Sequence, residues 1–149
     1  MFDSSANLHV PVAEPLVVDN PDQYHWNQDV DVCVVGLGAA GGSAAIEAAS
    51  CGASVLVLDR LNGGGASRMS GGVVYLGGGT HTQREVDVED SPDNMFEYLR
   101  VQVGGVVSDA TLRRFCENSA ANHEWLESLG VRFLSRFYRE KSSFPGGPW

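Results

Sequence analysis

The chain has 149 residues, long enough for one domain with its own core, and its composition is ordinary for a globular protein apart from 18 clustered glycines. Its formal net charge of −9, without a basic stripe, argues against a nucleic-acid partner, since phosphate contacts need groups of Lys and Arg. No apolar run approaches the ~20 residues that span a bilayer, and no secretion signal opens the chain, so a cytoplasmic protein without a transmembrane segment is expected.

Residues 1–28 hold Pro11, Pro15 and Pro21 and no sustained period, and read as an irregular lead-in before a domain over 29–149. Val12, Leu16, Val17 and Val18 are placed against the domain, and Trp26 over an edge just before the first strand. His9 and His25 have no ligand-like neighbours, and Cys33, Cys51 and Cys116 share no C-x-x-C spacing. Reduced thiols and no metal site are therefore expected.

From Val30 to Asp59 the chain has the pattern of a β-α-β unit. Val30, Val32, Cys33, Val34 and Val35 form a short β-branched run that reads as a strand buried on both faces. Gly36, Gly38 and Gly41 follow as G-x-G-x-x-G, an alanine-rich helix runs from Ala39 to about Ser50 before Gly52, and Ser54 to Leu58 make a second strand that ends at Asp59. In such a unit the first glycine permits a sharp turn and the second lets backbone approach a pyrophosphate. The third lets helix and strand pack closely, as do Ala44, Ala45, Ala48 and Ala49. The helix N-terminus offers unpaired N–H groups to phosphate. An acid about 20 residues beyond the glycines suits the two hydroxyls of an adenosine ribose.

A second glycine-rich tract, Leu61 to Thr80, carries Gly63, Gly64, Gly65, Gly71, Gly72, Gly77, Gly78 and Gly79, with Ser67 and Ser70 as short hydroxyl donors. Glycine-rich backbone of this kind can follow a ligand at close range with its N–H groups open. The apolar run Val73 to Leu76 argues against a solvated linker.

Residues 81–90 are polar and acidic and read as a surface loop, including His81 and Arg84. Ser91-Pro92 starts a helix with Met95, Phe96, Leu99 and Val103 on one face and Gly104-Gly105 at its end. Ser108-Asp109 starts another, in which Leu112, Phe115, Cys116, Ser119, Leu126 and Leu129 keep the helical period as far as Gly130. His123 and Trp125 on that helix read as packing or wet-face residues rather than ligands. Val131 to Leu134 reads as a short strand with Phe137 and Tyr138 after it, and SSFPGGPW reads as turns.

The segments DVCVVGLGAAGG, VLVLDR and GGGASRMSGGVVYLGGGT together resemble the flavoproteins of the fumarate reductase and succinate dehydrogenase group, and within it the 3-ketosteroid dehydrogenases, notably their Δ4-(5α) branch. The fold this implies is α/β: a Rossmann-like FAD-binding β-α-β unit followed by a glycine-rich flavin loop and helices, an incomplete domain. By the resemblance, Gly36, Gly38, Ala39, Ala40 and Gly41 line the FAD pyrophosphate, Asp59 binds the adenosine ribose and Arg60 lies beside the adenine. Ala66 and Ser67 approach the phosphates, and Ser70, Gly71 and Gly72 run along the ribityl chain. No histidine lies between Leu61 and Thr80, so the FAD is expected to be non-covalent.

The implied reaction is dehydrogenation of a steroid-like ketone next to its carbonyl group, with hydride passing to flavin N5. A fumarate-reductase-type flavoprotein and a catalytically inert nucleotide-binding remnant stand as alternatives. Tyr75 is either near the substrate or packed beside the flavin for structural reasons, and no catalytic base is assigned. A substrate domain and a third FAD-contacting segment implied by the resemblance are missing. The chain is expected to be the truncated N-terminal part of an enzyme, inactive alone, whose partners are a small-molecule substrate and the remainder of the chain.

Overall fold

The structure, a computed structural model, describes residues 13–137. The chain divides into two compact units between Gly71 and Gly72. Expectations for Val12, for Tyr138 and for the terminal SSFPGGPW fall outside the described residues.

In the first unit a 3-10 turn over Pro21–Gln23 is capped by the Asn20 side chain. Trp26 is exposed; it lies against Tyr24, ring centroids 4.7 Å apart, and donates its indole N–H to the Pro21 carbonyl. Leu16 and Val17 are exposed. Strands β1 (Val32–Val35) and β2 (Val55–Leu58) pair in parallel, with Val32 opposite Val55 and Val35 opposite Leu58. Helix α1 (Ala39–Ser50) makes the crossover between them. Just ahead of the ladder, Asp31 Oδ2 accepts from the Ser54 amide (2.8 Å) and hydroxyl (2.7 Å), and Ser54 Oγ accepts from the Asp31 amide. This reciprocal clamp sets the register from which the strand pairs follow.

The strands are not buried on both faces. β1 alternates half-buried and exposed, with Val35 83% exposed and Cys33 also exposed. A sheet of two strands with one helix against it covers one face only, so an all-apolar run alternates like a strand half in water. Val32 and Val34 take the half-buried positions, and Ala45 and Ala48 take them on α1, while Ala44 and Ala49 are exposed.

The second unit is helical. The expected loop at 81–90 begins instead with a one-turn helix, α2 (His81–Arg84), because Thr80 and Gln83 form a reciprocal capping box over its first turn. Helix α3 (Pro92–Val103) starts at the Ser91 cap with proline in its first turn and ends at Gly104 in the left-handed conformation, as read from the sequence. The long helix expected from Asp109 onwards is broken. α4 (Asp109–Glu117) and α5 (Ser119–Ser128) meet at Asn118, whose φ −96° and ψ 0° leave the helical region and whose side-chain amide donates to the Arg114 carbonyl. The periodicity runs through that break, which is why it does not show in the pattern.

Met95, Phe96, Leu112 and Cys116 form the core between α3 and α4, with Leu99, Val103 and Val107 packed around it. Arg113 lies over the Phe96 ring, 3.8 Å from its centroid, and is hydrogen-bonded to Asp93, so one cation ties the two helices at the rim of that core. Residues 131–137 form no strand; they run as irregular backbone in which Phe133 stacks on His123. Among the described residues, no helix is long and apolar enough to cross a membrane.

Candidate functional site

The glycine turn of the first unit is built as its spacing demands. Gly36 has φ +97°, a backbone that turns β1 directly into α1 and that L side chains avoid. A Cβ on Gly41 would stand 1.9 Å from the Gly36 carbonyl oxygen and 3.3 Å from Val34, so helix and strand touch there without room for a methyl group. Gly38 differs from both. Its φ of −90° suits any residue, and a Cβ there would meet nothing within 4 Å. No packing inside the unit requires a glycine at 38, and the space beside it is open.

Asp59 closes the turn from the other strand. Its Oδ2 accepts from the Leu37 amide (2.7 Å) and its Oδ1 from the Leu61 amide (2.8 Å). These two amides, Leu37 first, hold its carboxyl below the ordinary value. A carboxylate has about four acceptor positions, so the side chain is oriented by the backbone and still has places for hydroxyl donors.

The first part of the second glycine tract returns to this turn. The Gly64 amide donates to the Leu37 carbonyl (2.5 Å), and a Cβ on Gly65 would lie 3.3 Å from Gly38 Cα. A 3-10 turn over Gly65–Met69, entered through left-handed Gly64, brings Ser67 Oγ to the amide of Ala39 at 3.2 Å. Gly36, Gly38, Ala39, Gly41, Asp59 and Ser67 are thus one contiguous constellation. Arg60 joins Val35, Gly36, Leu58, Asp59, Leu61 and Gly65 in lining a cleft of about 570 Å³. Ala40 lies in the first turn of α1, Ala66 in the 3-10 turn, and Ser70 and Gly71 just after it, whereas Gly72 opens the second unit. Gly64 and Gly65 are site residues that the sequence pattern does not mark, because their contacts with Leu37 and Gly38 depend on the return path of residues 61–65.

The last part of the tract is different. Gly77 donates to Ser119 Oγ (2.9 Å), Gly78 to Asp90 Oδ2 (2.7 Å), and Gly79 and Thr80 both to Gln83 Oε1 (3.1 and 2.9 Å). Gly77, Gly78 and Thr80 are buried. The expectation of open N–H groups fails here, because side chains from α2, the 85–91 loop and α5 take all four. Arg84 donates to the Gly79 carbonyl. Tyr75 is half exposed, and desolvation, ahead of its neighbours Tyr98 and Asp90, raises its phenol above the usual value.

The constellation of a β-α-β glycine turn, a strand-end acid and a returning glycine loop is that of a dinucleotide-binding module. Compared with known proteins, the FAD binding domain family matches residues 31–146; the chain belongs to that family, and FAD is its cofactor. The chain is 48% identical over 146 residues to 3-oxo-5-alpha-steroid 4-dehydrogenase of Comamonas testosteroni, which covers 95% of this chain and 27% of the relative. The crystal structure of 3-ketosteroid-delta4-(5alpha)-dehydrogenase from Rhodococcus jostii RHA1, in complex with 4-androstene-3,17-dione, matches with a TM-score of 0.69 at 42% identity over 76% of this chain and 24% of that one. The open conformation of a flavocytochrome c3 fumarate reductase matches with a TM-score of 0.56 at 32% identity, over 68% of this chain and 18% of that chain. The chain therefore spans about a quarter of the length of the two steroid relatives. The resemblance read from the two glycine-bearing segments and VLVLDR is the one these comparisons find.

Proposed function

We propose that the chain forms the adenosine and pyrophosphate side of the FAD site of an oxidoreductase that dehydrogenates a 3-ketosteroid, or a similar ketone, next to its carbonyl group. The observation that carries the cofactor placement is the open space at Gly38 beside the N-terminus of α1. In this reading the Ala40 and Gly41 amides, in the first turn of α1 where no intrahelical acceptor exists, face the pyrophosphate. Ser67 accepts from Ala39 and keeps its hydroxyl proton for a phosphate oxygen. Asp59 takes the ribose hydroxyls, Arg60 lies beside the adenine, and Ala66, Ser70, Gly71 and Gly72 continue towards the isoalloxazine. No histidine stands in the 61–80 tract, so the flavin is held non-covalently.

When bound, the flavin supplies a hydride acceptor for the carbon β to the ketone. The ketosteroid assignment rests on the 48% identity to a steroid 4-dehydrogenase. A dicarboxylate reductase would need arginines free to clamp two carboxylates. Arg68, Arg84 and Arg100 show no joint arrangement in the sequence, and Arg84 is engaged with the Gly79 carbonyl and Arg100 with Glu97 at 3.0 Å.

Two measurements test the reading. Titration with FAD, followed by flavin fluorescence, is expected to show saturable binding; no binding would remove the cofactor placement. Anaerobic addition of a 5α-reduced 3-ketosteroid to the flavin-loaded complete enzyme, of which this chain is proposed to be the N-terminal part, is expected to bleach the flavin absorption. Persistence of that absorption, together with reoxidation of the reduced protein by fumarate, would transfer the assignment to the dicarboxylate reaction.

A further inference from the structure

We propose that His81, His123 and Glu127 form a binding site for a divalent cation of the zinc class that fastens α2 to α5. Two of the three ligands come from one helix. His123 and Glu127 stand four residues apart on α5, a spacing that places both on one face. His81, the first residue of α2, supplies the third. One donor atom from each residue lies within 4.8 Å of the others. His81 Nε2 is 3.4 Å from Glu127 Oε1, and His123 Nδ1 is 3.5 Å from Glu127 Oε2. Zinc with bonds of 2.0–2.1 Å holds tetrahedral ligands about 3.3 Å from one another, and each histidine nitrogen stands near that distance from one oxygen of the Glu127 carboxylate, His81 from Oε1 and His123 from Oε2.

His123 gives the independent observation. It is 3% exposed, and its Nδ1 is buried with no hydrogen-bond partner, which is rare for a buried ring nitrogen. The other ring nitrogen lies 3.3 Å from Thr82 Oγ1. A proton on Nε2, donated to that hydroxyl, leaves the Nδ1 lone pair facing the Glu127 carboxylate. Two acceptors in that arrangement repel unless a proton or a metal cation lies between them, and a histidine whose far nitrogen is fixed by a hydrogen bond is the usual form of a metal ligand. Phe133 stacks on the His123 ring at 4.3 Å and the His81 ring meets its edge at 4.9 Å, so the ring is held in place from more than one side. His81 and Glu127 are about one-third exposed, which gives the cation a way in and a position for water as the fourth ligand. In this proposal the role of the site is to fix the Thr80–Arg84 turn on α5.

The test uses the whole chain, stripped with a chelator and titrated with Co²⁺. Visible ligand-field absorption with a one-to-one end point, without a thiolate charge-transfer band, is expected, as is its displacement by Zn²⁺. Zn²⁺ should also raise Tm. His81→Gln and Glu127→Gln, both on the solvent side, should each weaken Co²⁺ binding at least about tenfold and abolish the rise in Tm, while Thr82→Val should weaken binding by about tenfold through the His123 ring. His123→Ala is avoided because that side chain is buried. Binding unchanged in His81→Gln and Glu127→Gln would place the metal elsewhere, on His9, His25 or the cysteines, and would overturn the proposal. Absence of the cobalt spectrum would also overturn it, leaving His123 and Glu127 as packing neighbours.

Discussion

Gly36–Gly41 and Gly77–Gly79 are both stretches of backbone without side-chain bulk, and the chain uses them in opposite ways. At the first, Gly36 is needed for its left-handed backbone and Gly41 where helix meets strand, and open space is left at Gly38. At the second, each amide is consumed by a side chain of the same unit, and the backbone is packed against Asp90, Pro92 and Cys116. A glycine cluster therefore indicates close approach without saying what approaches. What separates a ligand-facing turn from a self-packed one is whether the protein has already occupied the donors.

Three substitutions sharpen that contrast. Gly41→Ala should be the most damaging, because its methyl group would meet the Gly36 carbonyl oxygen at 1.9 Å, and backbone rather than a flexible side chain must move. A loss of about 3 kcal/mol or more is expected by chemical denaturation; a loss within ~0.5 kcal/mol would mean that the turn is not built as described. Gly38→Val should do the reverse. Its backbone admits a side chain and nothing lies within 4 Å of a Cβ placed there, so the apo protein should keep its Tm while FAD binding is lost. Retained FAD at unchanged affinity would take the pyrophosphate away from this turn.

In the second cluster, Asp90→Ala should cost about 1–3 kcal/mol, the range for a buried donor left unpaired. It removes the acceptor for the buried Gly78 amide and for Gln83 Nε2, 2.9 Å away, as well as for the Ser91 amide. Thermal denaturation reads this directly. FAD affinity should be untouched, since the cofactor reading assigns no role to Asp90; a fall in affinity matching that of Gly38→Val would erase the distinction between the two turns.

The sequence shows the first turn well because its constraint is local. Strand, glycine spacing, alanine helix and strand-end Asp59 are all set by residues near one another in the chain, as are the Ser91-Pro92 start and Gly104 end of α3. The self-packing of Gly77–Thr80 was illegible, since it depends on Asp90 and Ser119, brought in from outside the glycine run. The break at Asn118 was hidden by apolar spacing that continues across it. His123 had a visible clue in the four-residue spacing to Glu127, but its third neighbour, His81, comes from a stretch whose helix exists only because Thr80 and Gln83 cap each other. The half-wet face of β1 was also out of reach, because burial of a strand depends on how many strands join its sheet.

The smallest expected effect lies at the register clamp and is read through pH. The Ser54 hydroxyl first, and then the Ser54 amide, hold the Asp31 carboxyl below its ordinary value of 3.8. A carboxyl with a depressed folded-state value binds fewer protons folded than unfolded just below that point. Its stabilising contribution is therefore complete above 3.8 and fades as the pH falls through the lower folded value. In Asp31→Asn one amide oxygen can still accept both Ser54 donors, so the ladder keeps its register and only the charge is lost. The stability difference between the parent chain and this variant, measured by denaturation from neutral to acid pH, should be constant at neutral pH and shrink towards zero below about 3.8. A difference that stays constant through the acid range would assign the clamp to shape alone. Gly41→Ala should change stability by a pH-independent amount over the same range, because a steric clash carries no proton.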